Sequence, residues 1–282
     1  MDVGQLVGLG LIAAVAAIFG SMLGLGGGVF LVPIYTLFMG VDQKIAIGAS
    51  AVVIVTNSIV GSSVHLRSRF TNLQLAMLLQ VTTAAGAIAG ALFGVSANPG
   101  IIFGVFGAVL VYAAVSMVAR REAPPKPLAD DTPDPLGLGA GFRDPAIGAE
   151  VGYVPGRIPL GLGISTGAGV LSGMLGVGGG VIMVPVMNLL MRVPVKAAVG
   201  TSALMVGITS VATAFVFYSQ GKIDPTVVVP AVIGVFLGGQ IGSRLTRRLK
   251  ARRLAWIFAV ILGYLGISLI LRAFDITLPG QQ

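Results

Sequence analysis

Cysteine is absent from the 282 residues, and histidine and tryptophan occur once each. Without thiols the chain holds no disulfide, no thiolate metal site and no cysteine nucleophile. Charge is scarce too: 10% of the residues are Asp, Glu, Lys or Arg, against roughly 25% in ordinary globular domains. So few charges cannot cover a water-facing surface. What the chain has in plenty is apolar: 55% hydrophobic residues and a mean hydropathy of +0.97. The solvent for such a chain is lipid.

Charge-free runs cover 3–41, 45–64, 73–117, 158–191, 197–221, 225–243 and 254–271. Each approaches or exceeds the roughly 20 residues that cross a hydrocarbon core about 30 Å thick. The longest hold more than one crossing. No Asp or Glu lies deep in any of them, which disfavours carboxylate proton relays and carboxylate-lined cation paths. The net charge is +8, but the basic residues sit at the ends of the runs. There they set orientation and meet anionic lipid, so nucleic acid is not an expected partner. The N-terminus reads as the first membrane segment, not as a removable leader.

The sequence repeats itself at an offset of 152. Gly24-Leu25-Gly26-Gly27-Gly28-Val29 returns as Gly176-Val177-Gly178-Gly179-Gly180-Val181, and 17 of 30 positions match without a gap between 22–51 and 174–203. Apolar bias alone gives only about one match in ten. A duplicated apolar unit interrupted by glycine marks a transporter whose site lies between two related halves. Residues 1–119 form the first membrane repeat and 157–282 the second. The polar stretch 120–156, with Pro124-Pro125-Lys126-Pro127 and Asp130-Asp131-Thr132-Pro133-Asp134-Pro135, reads as a loose linker.

Each half divides into five apolar pieces, near 4–23, 27–39, 45–66, 73–95 and 99–119, then 158–175, 179–191, 196–218, 225–245 and 252–273. The second piece of each half has about 13 residues, near 20 Å as a helix, and contains a proline. It is too short to span, so pieces one and two read as a broken, re-entrant pair hinged on glycine. The expected fold is an all-α polytopic membrane protein. Two homologous repeats each hold a broken helix pair and three transmembrane helices. Basic residues follow piece three in the first half (Arg67, Arg69) but piece four in the second (Arg244, Arg247, Arg248, Lys250). Basic loops stay cytoplasmic, so equivalent loops fall on opposite sides and the repeats are inverted. The linker is then cytoplasmic and both termini extracytoplasmic. A parallel repeat with a weak charge bias is the alternative.

Two features suit an anion. Gly26, Gly27 and Gly28, and Gly178, Gly179 and Gly180, precede the short pieces, where helix N-terminal amides are unpaired and electropositive. Close helix packing is the competing use of such glycines. The third pieces carry hydroxyls and an amide: Ser50, Asn57 and Ser58 align with Ser202, Thr209 and Ser210, and Thr201 precedes Ser202. Most membrane-helix hydroxyls bond their own backbone, but the paired positions, seven residues apart on one face, are candidates for binding. Neither glycine run is a dinucleotide fingerprint or a phosphate loop. His65, the single histidine, and Arg67 end piece three. They serve either as interfacial residues or in coupling and gating. Lys44 and Lys196 read as snorkelling, and Gln80 and Gln240 as helix bridges.

Gly-Leu-Gly-Gly-Gly-Val-Phe-Leu-Val-Pro (24–33), Lys-Ile-Ala-Ile-Gly-Ala-Ser-Ala (44–51) and His65-Leu66-Arg67 resemble the TauE/SafE sulfite exporter family. Residues 176–185 and 196–203 resemble it more closely. In the first half Ala49 stands where Thr201 stands in the second, and Arg69 replaces the usual glycine after piece three. The resemblance implies an inner-membrane carrier of sulfur-containing anions: sulfite, thiosulfate, sulfoacetate or related organosulfonates. The expected partners are a small anion and membrane lipid; a homodimer is compatible with the sequence. No cofactor, metal or catalytic residue is expected. A carrier or channel for another small anion or metabolite is the alternative, and an intramembrane enzyme is the remaining rival.

Overall fold

The computed structural model describes residues 3–23, 25–67, 70–119, 134–144, 149–245, 251–274 and 276. The first repeat contains α1 (Val3–Leu23), α2 (Gly28–Phe38), α3 (Gln43–Arg67), α4 (Leu73–Ser96) and α5 (Pro99–Ala119). The second contains α6 (Ile158–Leu175), α7 (Gly180–Pro185), a π-helical turn Val186–Leu190, α8 (Val195–Ser219), α9 (Pro225–Leu245) and α10 (Ala251–Ala273). The offset of 152 maps the first residues of α2, α3, α4 and α5 onto those of α7, α8, α9 and α10. Among the described residues, seven helices are long and apolar enough to cross a membrane. Outward faces carry Leu11, Val81, Phe215 and Val260, all more than 60% exposed, as lipid contact requires.

The short helices form as their sequences dictate. α2 has 11 residues, about 16 Å of rise. In the second half Pro185 closes α7 after six residues. Lacking an N–H, it breaks the regular ladder. The chain continues as the π-helical turn, closed by Met191 N donating to the Val186 carbonyl at 3.1 Å.

The main helix pairs join the two repeats. α1 packs on α9 as α6 packs on α4, α3 crosses α8, and α5 lies on α10. Small residues let these backbones touch. A methyl placed at Gly90 or Gly173 would run into the carbonyls of Val170 or Ala87 across the α4–α6 seam. Gly238 and Gly242 stand in the same relation to the Ala14 and Ile18 carbonyls across α1–α9.

The linker departs from the loose tether expected of it. β1 (Ala140–Asp144) and β2 (Ala149–Tyr153) pair antiparallel, with Ala140 opposite Tyr153 and Asp144 opposite Ala149. Phe142, Val151 and Tyr153 are buried in one apolar cluster with Leu75, Leu79, Met183 and Met187. Phe142 meets Phe70 edge to face, with centroids 5.2 Å apart. Asn72 fixes the junction: its Nδ2 donates to the Leu138 carbonyl at 2.8 Å, and its Oδ1 caps α4 by accepting from Leu75 N at 3.0 Å. Burial pushes the Tyr153 hydroxyl above its ordinary pKa, against the opposing effect of its hydrogen bond with Asn72. Apolar side chains that find a membrane-protein surface to cover explain why this polar stretch folds.

Candidate substrate site at the two glycine turns

The two glycine runs make equivalent turns. Gly26 and Gly27 have φ of +77° and +88°, and Gly178 and Gly179 have +76° and +78°. This left-handed region is open to glycine without a steric penalty. Gly27 and Gly179 are the N-caps of α2 and α7, and neither helix start receives a side-chain cap. The glycines of both turns are buried.

The turns meet at one place. A methyl at Gly26 would lie 2.7 Å from Val206 Cγ1 and 2.9 Å from Ile54 Cγ2. At Gly178 it would lie 2.5 Å from Val206 Cγ1 and 3.3 Å from Ile54 Cγ2. Ile54 and Val206 are themselves related by the offset of 152, and both are 1% exposed or less. The centre of the molecule is thus two glycine turns closed around an apolar pair where α3 crosses α8.

Polar side chains surround this pair, and most hold backbone in place. Ser50 Oγ donates to the Gly176 carbonyl of the opposite repeat at 2.8 Å. Asn57 Nδ2 donates to the Gly26 carbonyl at 3.0 Å while its Oδ1 accepts from Ser21 Oγ at 2.7 Å. Thr209 Oγ1 donates to the Met205 carbonyl at 2.9 Å and accepts from Gln80 Nε2 at 3.1 Å. Gln80 thereby bridges α4 and α8, as its isolation in an apolar run suggested. Thr201 lies nearer the start of α8, where its Oγ1 accepts from Asn72 N at 3.0 Å. Ser202 is fully buried. Ser50, Asn57, Ser202 and Thr209 are therefore carried by the crossing helices, whereas Thr201 anchors the α3–α4 connection.

Lys44 departs from the snorkelling expected of it. Its Nζ donates to the Val95 carbonyl at 2.6 Å, a charged cap on the last turn of α4. The side chains of His65 and Arg67 lie outside the described residues. The sequence reading did not single out Ser21, Ile54 and Val206. For the last two the offset of 152 was the available signal, masked because isoleucine and valine are common in any membrane helix.

The long apolar helices, taken with this buried meeting of the two glycine turns, mark a polytopic α-helical membrane protein. Residues 9–269 match the family described as Sulfite exporter TauE/SafE. The chain belongs to that family and is a membrane transporter. YunE of Bacillus subtilis, named a probable membrane transporter protein, is 28% identical over 272 residues, covering 94% of this chain and 96% of that one. A probable membrane transporter protein of Methanocaldococcus jannaschii is 22% identical over 276 residues, covering 93% and 94%. MamO of Magnetospirillum gryphiswaldense, named likewise, is 26% identical over 294 residues; the match covers 95% of this chain but 45% of MamO. No solved structure matches the chain.

Proposed function

We infer that the protein carries small sulfur-containing anions, such as sulfite, thiosulfate or an organosulfonate, out across a bacterial-type inner membrane. The observation that carries this reading is the meeting of two glycine turns with donor-bearing helices, at a place lined by no carboxylate among the described residues. Gly26, Gly27, Gly28, Gly178, Gly179 and Gly180 would present backbone N–H groups to the anion. Ser50, Asn57, Ser202 and Thr209 complete the wall, with Thr201 behind it. The family to which the chain belongs supports the sulfur chemistry.

Access would alternate about the Ile54–Val206 pair, a reading supported by the meeting of both glycine turns on it. The basic loops at opposite ends of the two repeats support an inverted arrangement, with a cytoplasmic linker and extracytoplasmic termini. An anion leaving a negative interior gains about 2.3 kcal/mol per charge per 100 mV, so export runs without a coupling ion.

Flux from proteoliposomes loaded with sulfite, thiosulfate or sulfoacetate tests this directly. Saturable efflux that accelerates when the interior is made negative is expected. Efflux indifferent to membrane potential, or absent for all three anions, overturns it. Because the chain has no cysteine, Ile54→Cys introduces a lone reporter thiol. It should react with a membrane-impermeant reagent from one side at a time, whereas simultaneous labelling from both sides indicates a channel.

A further inference from the structure

The repeats are alike in backbone but not in how they use their hydroxyls. In the first, Ser58 Oγ donates to the Ala203 carbonyl at 2.5 Å. Its counterpart across the offset, Ser210, has an Oγ without any hydrogen-bond partner, although the residue is 1% exposed. Ser172 Oγ is unpartnered as well, in a residue with no exposure; its first-half counterpart is Gly20, which has no hydroxyl. Both face the same turn. A methyl at Gly178 would lie 3.1 Å from Ser210 Oγ, and one at Gly179 would lie 3.6 Å from Ser172 Oγ. One hydroxyl comes from α6 and the other from α8, so they flank the turn from two helices.

Ordinary behaviour for such hydroxyls is visible on the same helix. Thr209 and Thr213 each donate to the carbonyl four residues earlier, at 2.9 and 3.2 Å. Ser172 and Ser210 make no such bond. A buried hydroxyl that satisfies no internal acceptor is a desolvated donor awaiting one from outside the chain. In the first repeat the corresponding hydroxyl, that of Ser58, is spent on Ala203, and the neighbouring Asn57 is tied at both ends of its amide, to Gly26 and to Ser21.

The geometry points to Ser172 and Ser210 as the side-chain donors that hold the transported oxyanion, at the Gly178–Gly179 turn of the second repeat only. This rests on the sulfur-anion reading above and adds where the anion sits and which groups bind it. The site is one-sided: two hydroxyls approach from neighbouring helices, and two oxygens of a sulfite or sulfonate group accept one hydrogen bond from each. The first repeat supplies the opposite wall.

The test is thermal unfolding of the purified full-length protein, titrated with sulfite, thiosulfate and sulfoacetate. Wild type, Ser172→Ala, Ser210→Ala and Ser58→Ala are compared. Removing an unpartnered hydroxyl leaves the ligand-free melting temperature unchanged or raised. Each of Ser172→Ala and Ser210→Ala should weaken the apparent Kd about tenfold or more, as expected for a hydrogen bond to a charged ligand. Ser58→Ala, which breaks a made bond, should melt lower without ligand and keep its apparent Kd. Wild-type affinity in either Ser172→Ala or Ser210→Ala overturns the assignment of donors while leaving the sulfur-anion reading intact. So does a ligand-free melting temperature lowered as in Ser58→Ala, which would reveal an internal partner. A wild-type protein unmoved by all three anions overturns both.

Discussion

Replacing Gly27 and Gly179 by alanine, one at a time, separates backbone strain from crowding at the centre. The two residues have similar φ, +88° and +78°, so the left-handed penalty of roughly 1–2 kcal/mol for an L-residue is common to both. Their surroundings differ. At Gly179 the added methyl would lie 3.4 Å from Ser172 Cβ, an ordinary contact. At Gly27 it would lie 3.1 Å from the Ala16 carbonyl oxygen and 3.6 Å from Ala17 Cα. That is helix backbone, which cannot swing aside as a side chain can. Overpacking of this kind typically adds about 1–3 kcal/mol. The expected destabilisation is therefore about 2–4 kcal/mol for Gly27→Ala and about 1–2 kcal/mol for Gly179→Ala. At about 2–4 °C per kcal/mol for a chain near this size, the first variant should melt several degrees below the second. The fraction that stays monodisperse on size exclusion after stepwise heating measures this without the thiol dyes that a cysteine-free chain cannot bind. Equal melting, or a lower value for Gly179→Ala, would refute the close approach of the first turn to α1.

Two further outcomes follow from the hydrogen bonds. Asn57→Ala strands the Gly26 carbonyl and the Ser21 hydroxyl in a buried place, at about 1–3 kcal/mol for each group left unmade; adding Ser21→Ala to that variant should restore part of the loss, and a double-mutant melting series that shows simple additivity contradicts the contact. Asn72→Ala removes both the cap of α4 and the tie to Leu138, with the cap alone worth about 0.5–2 kcal/mol. Limited proteolysis should then cut within 134–156 well before the wild type is cut, and unchanged protection would show that the hairpin is held by its apolar side chains alone.

Much of the fold was legible because repetition supplies its own control. The offset of 152 and the break at glycine located the ten α-helices of the described residues to within a few residues, since lipid leaves few alternatives to helix. The hairpin was not legible. Among the described residues, Ala140–Asp144 and Ala149–Tyr153 bury Phe142, Val151 and Tyr153, with Ala140 packed against the same cluster, too few for a clear alternation. The candidate residues could be picked out in the sequence, but their hydrogen-bond partners could not. Ser50, Asn57 and Thr209 stood out because both repeats carry a polar residue there, yet they spend their donors on Gly176, Gly26 and Met205. At these three positions the polar residue spends its donor on nearby backbone. Ser172 was invisible to that comparison, because Gly20 occupies its place in the first repeat. What distinguishes one repeat from the other appears only when side chains are seen with their partners.

The packing also constrains how the molecule moves. Two halves rocking on one another would part α1 from α9, α4 from α6, α3 from α8 and α5 from α10, because all four pairs join different halves of the chain. The α1–α9 and α4–α6 seams bring glycine Cα atoms directly onto carbonyls, and interfaces this close are bistable or fixed, not gradually deformable. The natural rigid bodies are therefore these mixed pairs, each taking one helix from either repeat. On the alternating-access reading proposed above, the contacts that would yield lie where α3 crosses α8, at Ile54 and Val206, where the neighbours are side chains able to change rotamer. Glycine thus serves two places in one molecule: along the seams it lets helix backbones touch, and at the two turns it lets the chain close on a pair of aliphatic side chains with no space for a Cβ between.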